Sequence, residues 1–166
     1  MQVPFQPTHW LNQLLGEVAS TVDALGPEFD PQVKPSDPRF GDYQANGVLP
    51  FAKRTRQNPR ALGESLLSAL KDSGRLPEDW ATVEIAGPGF LNFRLSPAFF
   101  THWLDTFSDA AGLEARLRTD HEEKTVVVDY SSPNTAKEMH VGHIRSTVIG
   151  DAIARMLQFA GARVIR

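Results

Sequence analysis

The chain has 166 residues, no cysteine and a formal net charge of -3, with 17 Lys and Arg against 20 Asp and Glu. That length suits one domain, or one small domain and part of another, and 41% hydrophobic with 22% charged residues excludes global disorder. The charge balance argues against nucleic-acid binding by bulk positive charge. The missing cysteines exclude disulfides and thiolate metal sites, and no apolar run approaches the roughly 18 residues of a membrane span. The N-terminal Met1-Gln2-Val3-Pro4-Phe5 has neither a basic nor a long apolar stretch of a signal peptide, so a cytoplasmic protein is expected.

Trp10, Leu11, Leu14, Leu15, Val18, Val22 and Leu25 recur at spacings of three and four. They predict an amphipathic helix over 8–25, capped by Thr8 and ended by Gly26-Pro27. Four prolines between 27 and 41 predict an extended loop. A short helix is expected around Phe51, Ala52 and Lys53, ending near Arg56. Asn58-Pro59 then caps a second amphipathic helix carrying Leu62, Leu66, Leu67 and Leu70, which Gly74 ends. Residues 82–86 and 90–95 alternate at period two around Gly87-Pro88-Gly89 and predict a β-hairpin. In it Phe90 and Asn92 share one face, and Phe93 takes the other. Ser96-Pro97 caps a helix ended by Gly112, with Phe99, Phe100, Trp103, Leu104 and Phe107 on its buried side. Residues 113–124 are charged and predict a linker or short turn.

After residue 120 the pattern changes. Thr125 to Tyr130 is a nearly continuous apolar run, as in a strand buried on both faces of a parallel sheet. A polar loop follows, then a helix over about 141–160, Gly161, and the start of a second strand at Arg163. This order is the opening unit of a doubly wound α/β fold, whose ligands bind outside the carboxyl ends of the strands. The apolar faces of 125–166 are expected to need further neighbours.

The loop between that strand and helix holds the informative residues. Asp129, Ser132, Asn134, Lys137, His140, Gly142 and His143 lie where a helix start offers unpaired N–H groups to an anion. Lys137 and the histidines add donors, and Gly142 lets a flat ring approach the backbone. Together they describe a nucleotide-phosphate site. Two other readings of the histidines stand beside it: a metal-binding i, i+3 pair and a pair of solvated capping residues. Asp129 also reads as a strand-end carboxylate capping an amide. Phe90 and Asn92 also read as a core aromatic and a turn residue. Lys53, Arg54, Arg56 and Arg60 form the one local basic cluster, either a phosphate contact or a solvated face.

Ser131-Ser132-Pro133-Asn134, Lys137 and His140-Val141-Gly142-His143 resemble the first signature of class I aminoacyl-tRNA synthetases, in the form found in arginyl-tRNA synthetases. Phe40-Gly41-Asp42-Tyr43-Gln44-Ala45-Asn46, Ala52-Lys53, Asn58-Pro59 and Gly87-Pro88-Gly89-Phe90-Leu91-Asn92 are similar to that family's N-terminal additional domain. The resemblance implies an α+β N-terminal additional domain over 1–120, built of helices and a β-hairpin. From 121 to 166 it implies the first β-α-β unit of a Rossmann-like catalytic domain. It implies an arginine–tRNA ligase, which activates L-arginine with ATP to an adenylate and transfers it to tRNA(Arg). His140, Gly142, His143 and Lys137 are then the ATP-binding residues, with the histidines and the lysine catalytic. Asp129, Ser132, Asn134 and His140 hold arginine. Phe90 and Asn92 touch an unpaired base of the tRNA D-loop. ATP is a substrate accompanied by Mg2+, with no prosthetic group, no protein-held metal and no membrane partner. The resemblance also implies a missing C-terminal part of the same enzyme, so the chain alone is expected not to complete aminoacylation. A freestanding D-loop-binding module with a vestigial nucleotide site is the alternative. Another class I adenylate-forming enzyme or nucleotidylyl transferase is a third reading.

Overall fold

A computed structural model describes residues 3–134, 136–138 and 140–166, without the side chains of Thr119 and Asp120. Thr135 and Met139 of the signature stretch lie outside the described residues. The chain divides into two compact units, Met1–Asp105 and Thr106–Arg166.

The first unit runs α1 (Pro7–Ala19), β1 (Val33–Pro35), β2 (Tyr43–Ala45), α2 (Val48–Thr55), α3 (Pro59–Asp72), β3 (Ala81–Ala86), β4 (Phe90–Leu95) and most of α4 (Pro97–Phe107). Its four strands form one antiparallel sheet in the order β1-β2-β4-β3. The expected hairpin is β3–β4, with Val83 opposite Phe93 and Glu84 opposite Asn92. Side chains alternate across a strand, so Leu91, Phe93 and Leu95 of β4 turn to one face, and Phe90, Asn92 and Arg94 to the other. The first face meets α1 and α3. Leu11, Leu15, Leu66, Leu91 and Phe93 reach zero exposure there, which makes this layer the core of the unit.

Several elements differ from the sequence reading. α1 starts at Pro7 after Gln6, not at a Thr8 cap, and ends at Ala19. The hydroxyls of Ser20 and Thr21 donate to the carbonyls of Glu17 and Val18, which closes the helix before Leu25. Val22 and Leu25 still pack on the core from the turns that follow. The proline-rich loop contains β1, and Tyr43–Ala45 adds β2. Three-residue strands are too short to print a period, and Pro35 is tolerated because β1 is an edge. Pro50 lies in the first turn of α2, where no helix donor is lost. Asn58 does cap α3, its Oδ1 accepting from the N–H groups of Arg60 and Ala61. In α4, Phe99 and Phe107 are buried, but Phe100 and Leu104 are 49% and 58% exposed. They line an apolar groove of about 550 Å³ with Phe5, Pro7, Pro38 and Trp103. The expected stripe is therefore only partly core.

The second unit holds α5 (Ala110–His121), β5 (Thr125–Val127), α6 (Val141–Phe159) and β6 (Arg163–Ile165). α5 replaces the expected linker, and Gly112 sits inside it rather than ending α4. The Asp109 side chain accepts from the Gly112 N–H at 2.7 Å, and Glu114 pairs with Arg118 at 2.8 Å, so local bonds hold a helix that lacks an apolar stripe. β5 and β6 are parallel, with Val126 opposite Val164, and α6 connects them. Tyr130 packs against α6 at Gly150, where a Cβ would overlap the Tyr130 Cβ and Cγ. Along α6 only Gly150 and Ala154 are buried, while Val141, Ile144, Val148 and Met156 are more than half exposed.

Strand and helix are tied at Asp151. Its Oδ2 accepts from Arg155 Nε at 2.6 Å, its Oδ1 accepts from the Tyr130 hydroxyl at 3.1 Å, and Arg166 Nη1 stands 3.4 Å away. The Arg155 bond, then the Tyr130 bond and the nearby guanidinium charges, hold the Asp151 carboxyl below the usual carboxylate range. A carboxyl with a depressed folded pKa adds stability above its unfolded value of about 3.9, and that stability is lost as pH falls through the folded value. Amide exchange at β5, α6 and β6 is therefore expected to speed up on acidification below about pH 4. Asp151→Asn should remove this acid-dependent component; an unchanged acid profile in that variant would contradict the assignment.

Candidate functional site

The second unit supplies the first cluster. His140 is the N-cap of α6, and its Nδ1 accepts from the Gly142 N–H at 3.1 Å. His143, one turn on, returns the contact: its Nδ1 accepts from the His140 N–H at 3.1 Å. This is a reciprocal capping box in which two imidazoles play the parts usually taken by Ser or Thr and Glu. The ring centroids are 4.1 Å apart. Because each Nδ1 accepts a backbone N–H, the proton of each neutral ring sits on Nε2. Each Nε2 is therefore a donor, beside a helix N-terminus that favours anions. The capping reading of the histidines is thus realised in the geometry: it occupies the His140 and Gly142 N–H groups that the phosphate reading counts on, and the His143 N–H donates to the His140 carbonyl, so the donors left for an anion are chiefly the two Nε2–H groups.

Gly142 has a role that the sequence did not reveal. A Cβ there would lie 2.9 Å from the His140 Cε1 and 3.0 Å from its Nδ1. The glycine makes room for the His140 ring as well as for anything that approaches from outside.

The loop before α6 is exposed and shaped by its own bonds. Ser132 Oγ donates to Asp129 Oδ1 at 3.2 Å, which joins two of the residues expected at arginine. Asn134 Oδ1 accepts from the Ala136 N–H at 2.9 Å, and the Lys137 N–H donates to the Asn134 carbonyl at 3.3 Å. Ser131 takes a left-handed φ of 63°, a conformation that costs a non-glycine residue about 1 kcal/mol. Among the described residues no hydrogen bond joins Asp129, Asn134 or Lys137 to either histidine. No group of three or more His, Asp or Glu among the described residues could hold a metal ion.

The first unit supplies the second cluster, on the sheet face turned away from its core. Phe90 is half-buried at the start of β4, beside the Gly87–Gly89 turn. Asn92 is only 7% exposed, and its Oδ1 accepts from Gln44 Nε2 on β2 at 2.7 Å. Phe93 is fully buried, so the expected division of the strand is what the structure shows. The start of α3 sits directly on the turn: a Cβ on Gly89 would lie 2.5 Å from the Pro59 carbonyl oxygen. Arg60 thereby reaches the Gly87 carbonyl at 3.4 Å while pairing with Glu64 at 3.1 Å. Arg54 lies over the Phe51 ring at 5.0 Å. Two of the four cations of the basic cluster, Arg54 and Arg60, are therefore engaged by local partners. Gln44 was missed as a member of this site because its partner is 48 residues away and β2 is too short to reveal its pairing.

The comparisons bear on both units. The family model described as "Arginyl tRNA synthetase N terminal domain" matches residues 9–95, and the one described as "tRNA synthetases class I (R), catalytic domain" matches residues 110–166. An arginine–tRNA ligase of Laribacter hongkongensis is 46% identical over 159 residues, which cover 94% of this chain and 27% of that protein. One from Hahella chejuensis is 50% identical over 160 residues, with the same shares. The chain thus spans about a quarter of the length of these curated relatives. Among solved structures, arginyl-tRNA synthetase from Plasmodium falciparum is similar over 100% of this chain and 30% of its own, with a TM-score of 0.66. At 24% identity that likeness speaks for the fold.

Proposed function

We propose that this chain, which belongs to the arginyl-tRNA synthetase family, carries the tRNA-facing domain and the first ATP-site signature of an arginine–tRNA ligase. The α+β architecture of its first unit and the parallel β5-α6-β6 unit of its second agree with an N-terminal additional domain followed by the start of a class I catalytic domain. The observation that supports the functional reading is the histidine capping box at the α6 N-terminus, which occupies both Nδ1 atoms and so leaves each Nε2 as a donor.

In the activation step the arginine carboxylate attacks the α-phosphorus of ATP and pyrophosphate leaves. Negative charge shifts onto the leaving phosphates. Donors fixed in advance at that point stabilise the transition state without reorganising. His140 and His143 supply two such donors, and Lys137 supplies a mobile cation from the same loop. Asp129, steadied by Ser132, offers a charge-assisted acceptor for the cationic end of arginine, and Asn134 offers an amide to its backbone groups. Mg2+ enters this reading with ATP, on its phosphates. Turnover is assigned to a longer polypeptide that contains these residues, acting in the cytoplasm.

In the first unit, Phe90 and Asn92 receive an unpaired base of the tRNA D-loop. The ring stacks on one face of the base, and the amide meets its edge. Stacking on an aromatic ring is worth about 1–3 kcal/mol per base. Titrating the chain with tRNA(Arg) should therefore show a loss of about 5- to 150-fold for Phe90→Ala. Asn92→Ala should weaken binding in the same titration. Equal affinity in both variants and the parent would remove the hairpin from the RNA interface.

A further inference from the structure

The segment that carries the proposed arginine contacts is tied to its unit at one side chain. Asp129 follows the last bond of the strand pair, in which the Val128 N–H donates to the Ile165 carbonyl at 2.9 Å. Beyond that point Ser132 donates to Asp129 at 3.2 Å and Asn134 accepts from the Ala136 N–H at 2.9 Å, both bonds within the loop. Among the described residues, one hydrogen bond joins residues 129–134 to another element: the Tyr130 hydroxyl donates to Asp151 Oδ1 on α6 at 3.1 Å.

Tyr130 is held at both ends of its side chain. Gly150 lets α6 come so close to its base that a Cβ there would lie 2.3 Å from the Tyr130 Cβ and 2.4 Å from its Cγ. At the far end of the ring the hydroxyl meets Asp151, the next residue of the helix. Asp151 is itself fixed: Arg155 Nε donates to its Oδ2 at 2.6 Å, and Arg166 Nη1 stands 3.4 Å from its Oδ1. The anchor is therefore the helix and not another part of the loop.

We infer that Tyr130 is a positioning residue for arginine: held by Gly150 and Asp151, it fixes where the Asp129 carboxylate stands. This deepens the proposed reading of Asp129 and rests on it. Consecutive Cα atoms are about 3.8 Å apart across a planar peptide, so the Asp129 backbone moves with that of Tyr130. On the other side, Ser131 takes a left-handed φ of 63°. A residue with a side chain keeps such a conformation only where its surroundings hold it. Ser132 steadies the Asp129 carboxylate within the loop, and Tyr130 steadies the loop against α6.

The histidines at the start of the same helix do not depend on this tie. Their capping box is closed by its own two bonds, each of 3.1 Å. Loss of the Tyr130 bond therefore weakens arginine and spares ATP, whereas a general loosening of the unit weakens both.

The test measures ATP–pyrophosphate exchange, with tRNA(Arg) present, by a full-length arginine–tRNA ligase that contains this chain. Tyr130→Phe keeps the ring against Gly150 and loses the hydroxyl. It should raise the KM for arginine by about two- to tenfold, the worth of one hydrogen bond, and leave kcat and the KM for ATP at parental values. Asp151→Ala removes the same bond from the helix side and should raise the KM for arginine alike. The double variant should be no worse than the more affected single one, because the two residues share one interaction. If Tyr130→Phe fails to fold, Asp151→Ala decides by the same readings. A parental KM for arginine in these variants, beside a raised one in Asp129→Ala, would overturn the positioning role and leave Asp129 at arginine. A parental KM for arginine in Asp129→Ala would overturn that assignment and this inference with it. Equal rises in the KM for arginine and for ATP would show that the hydroxyl serves the unit as a whole, and would also overturn the inference.

Discussion

On the proposed reading, replacing His143 with alanine in a full-length arginine–tRNA ligase that contains this chain is expected to lower the kcat of arginine-dependent ATP–pyrophosphate exchange by about 10²–10³, the cost of removing one fixed donor to developing phosphate or oxyanion charge. His143 accepts the His140 N–H through Nδ1, so its Nε2 carries the proton of the neutral ring. Alanine removes that donor and also frees the His140 backbone N–H. His143→Asn separates the two roles, because its side-chain oxygen replaces Nδ1 while nothing replaces Nε2. The asparagine variant should keep the thermal stability of the second unit and still lose most of the exchange rate. Full exchange activity in His143→Asn would show that the outward donor is not used.

A contrast within one strand gives the second large effect. Phe93 has no exposed surface and lies between the sheet and helices α1 and α3. Its replacement by alanine removes buried surface and leaves a cavity, at a cost of about 3–5 kcal/mol. Against a total stability of about 5–15 kcal/mol for a domain, that is a large part of what holds the first unit together. Phe90, three residues earlier and of opposite parity, is half-buried on the other face. Phe90→Ala should cost about 1 kcal/mol, since only part of a ring leaves apolar contact. Urea unfolding of the two variants measures the difference. Equal losses would mean that β4 does not divide its side chains between a core and a functional face.

The long amphipathic elements were legible because each carries its own period. Leu11, Leu14, Leu15 and Val18 mark α1, and Leu62, Leu66 and Leu70 mark α3. The β3–β4 hairpin announced itself by alternation around a glycine turn. What stayed hidden has little local signal. β1 and β2 are three residues each and exist through their partners. α5 is held by the Asp109 cap and an ion pair rather than by an apolar face. Phe100 and Leu104 follow the helical stripe of Phe99 in sequence but remain exposed in the structure. The signature residues were identifiable as a set from their order, but their geometry was not. Nothing in a His-x-x-His spacing says that each ring accepts a backbone N–H, or that Gly142 is needed to seat His140. The Gln44–Asn92 bond joins residues 48 apart and needed the sheet to bring them together.

The proposed division of labour places a base-reading face in the first unit and phosphate donors in the second. Steady-state aminoacylation of tRNA(Arg) by the complete enzyme, with Phe90→Ala and His143→Ala measured side by side, tests it most directly. The account predicts that Phe90→Ala raises the KM for tRNA with kcat largely kept, and that His143→Ala lowers kcat with the KM for tRNA largely kept. Parental values of both constants in both variants, or a fall in kcat alone for Phe90→Ala, would contradict it.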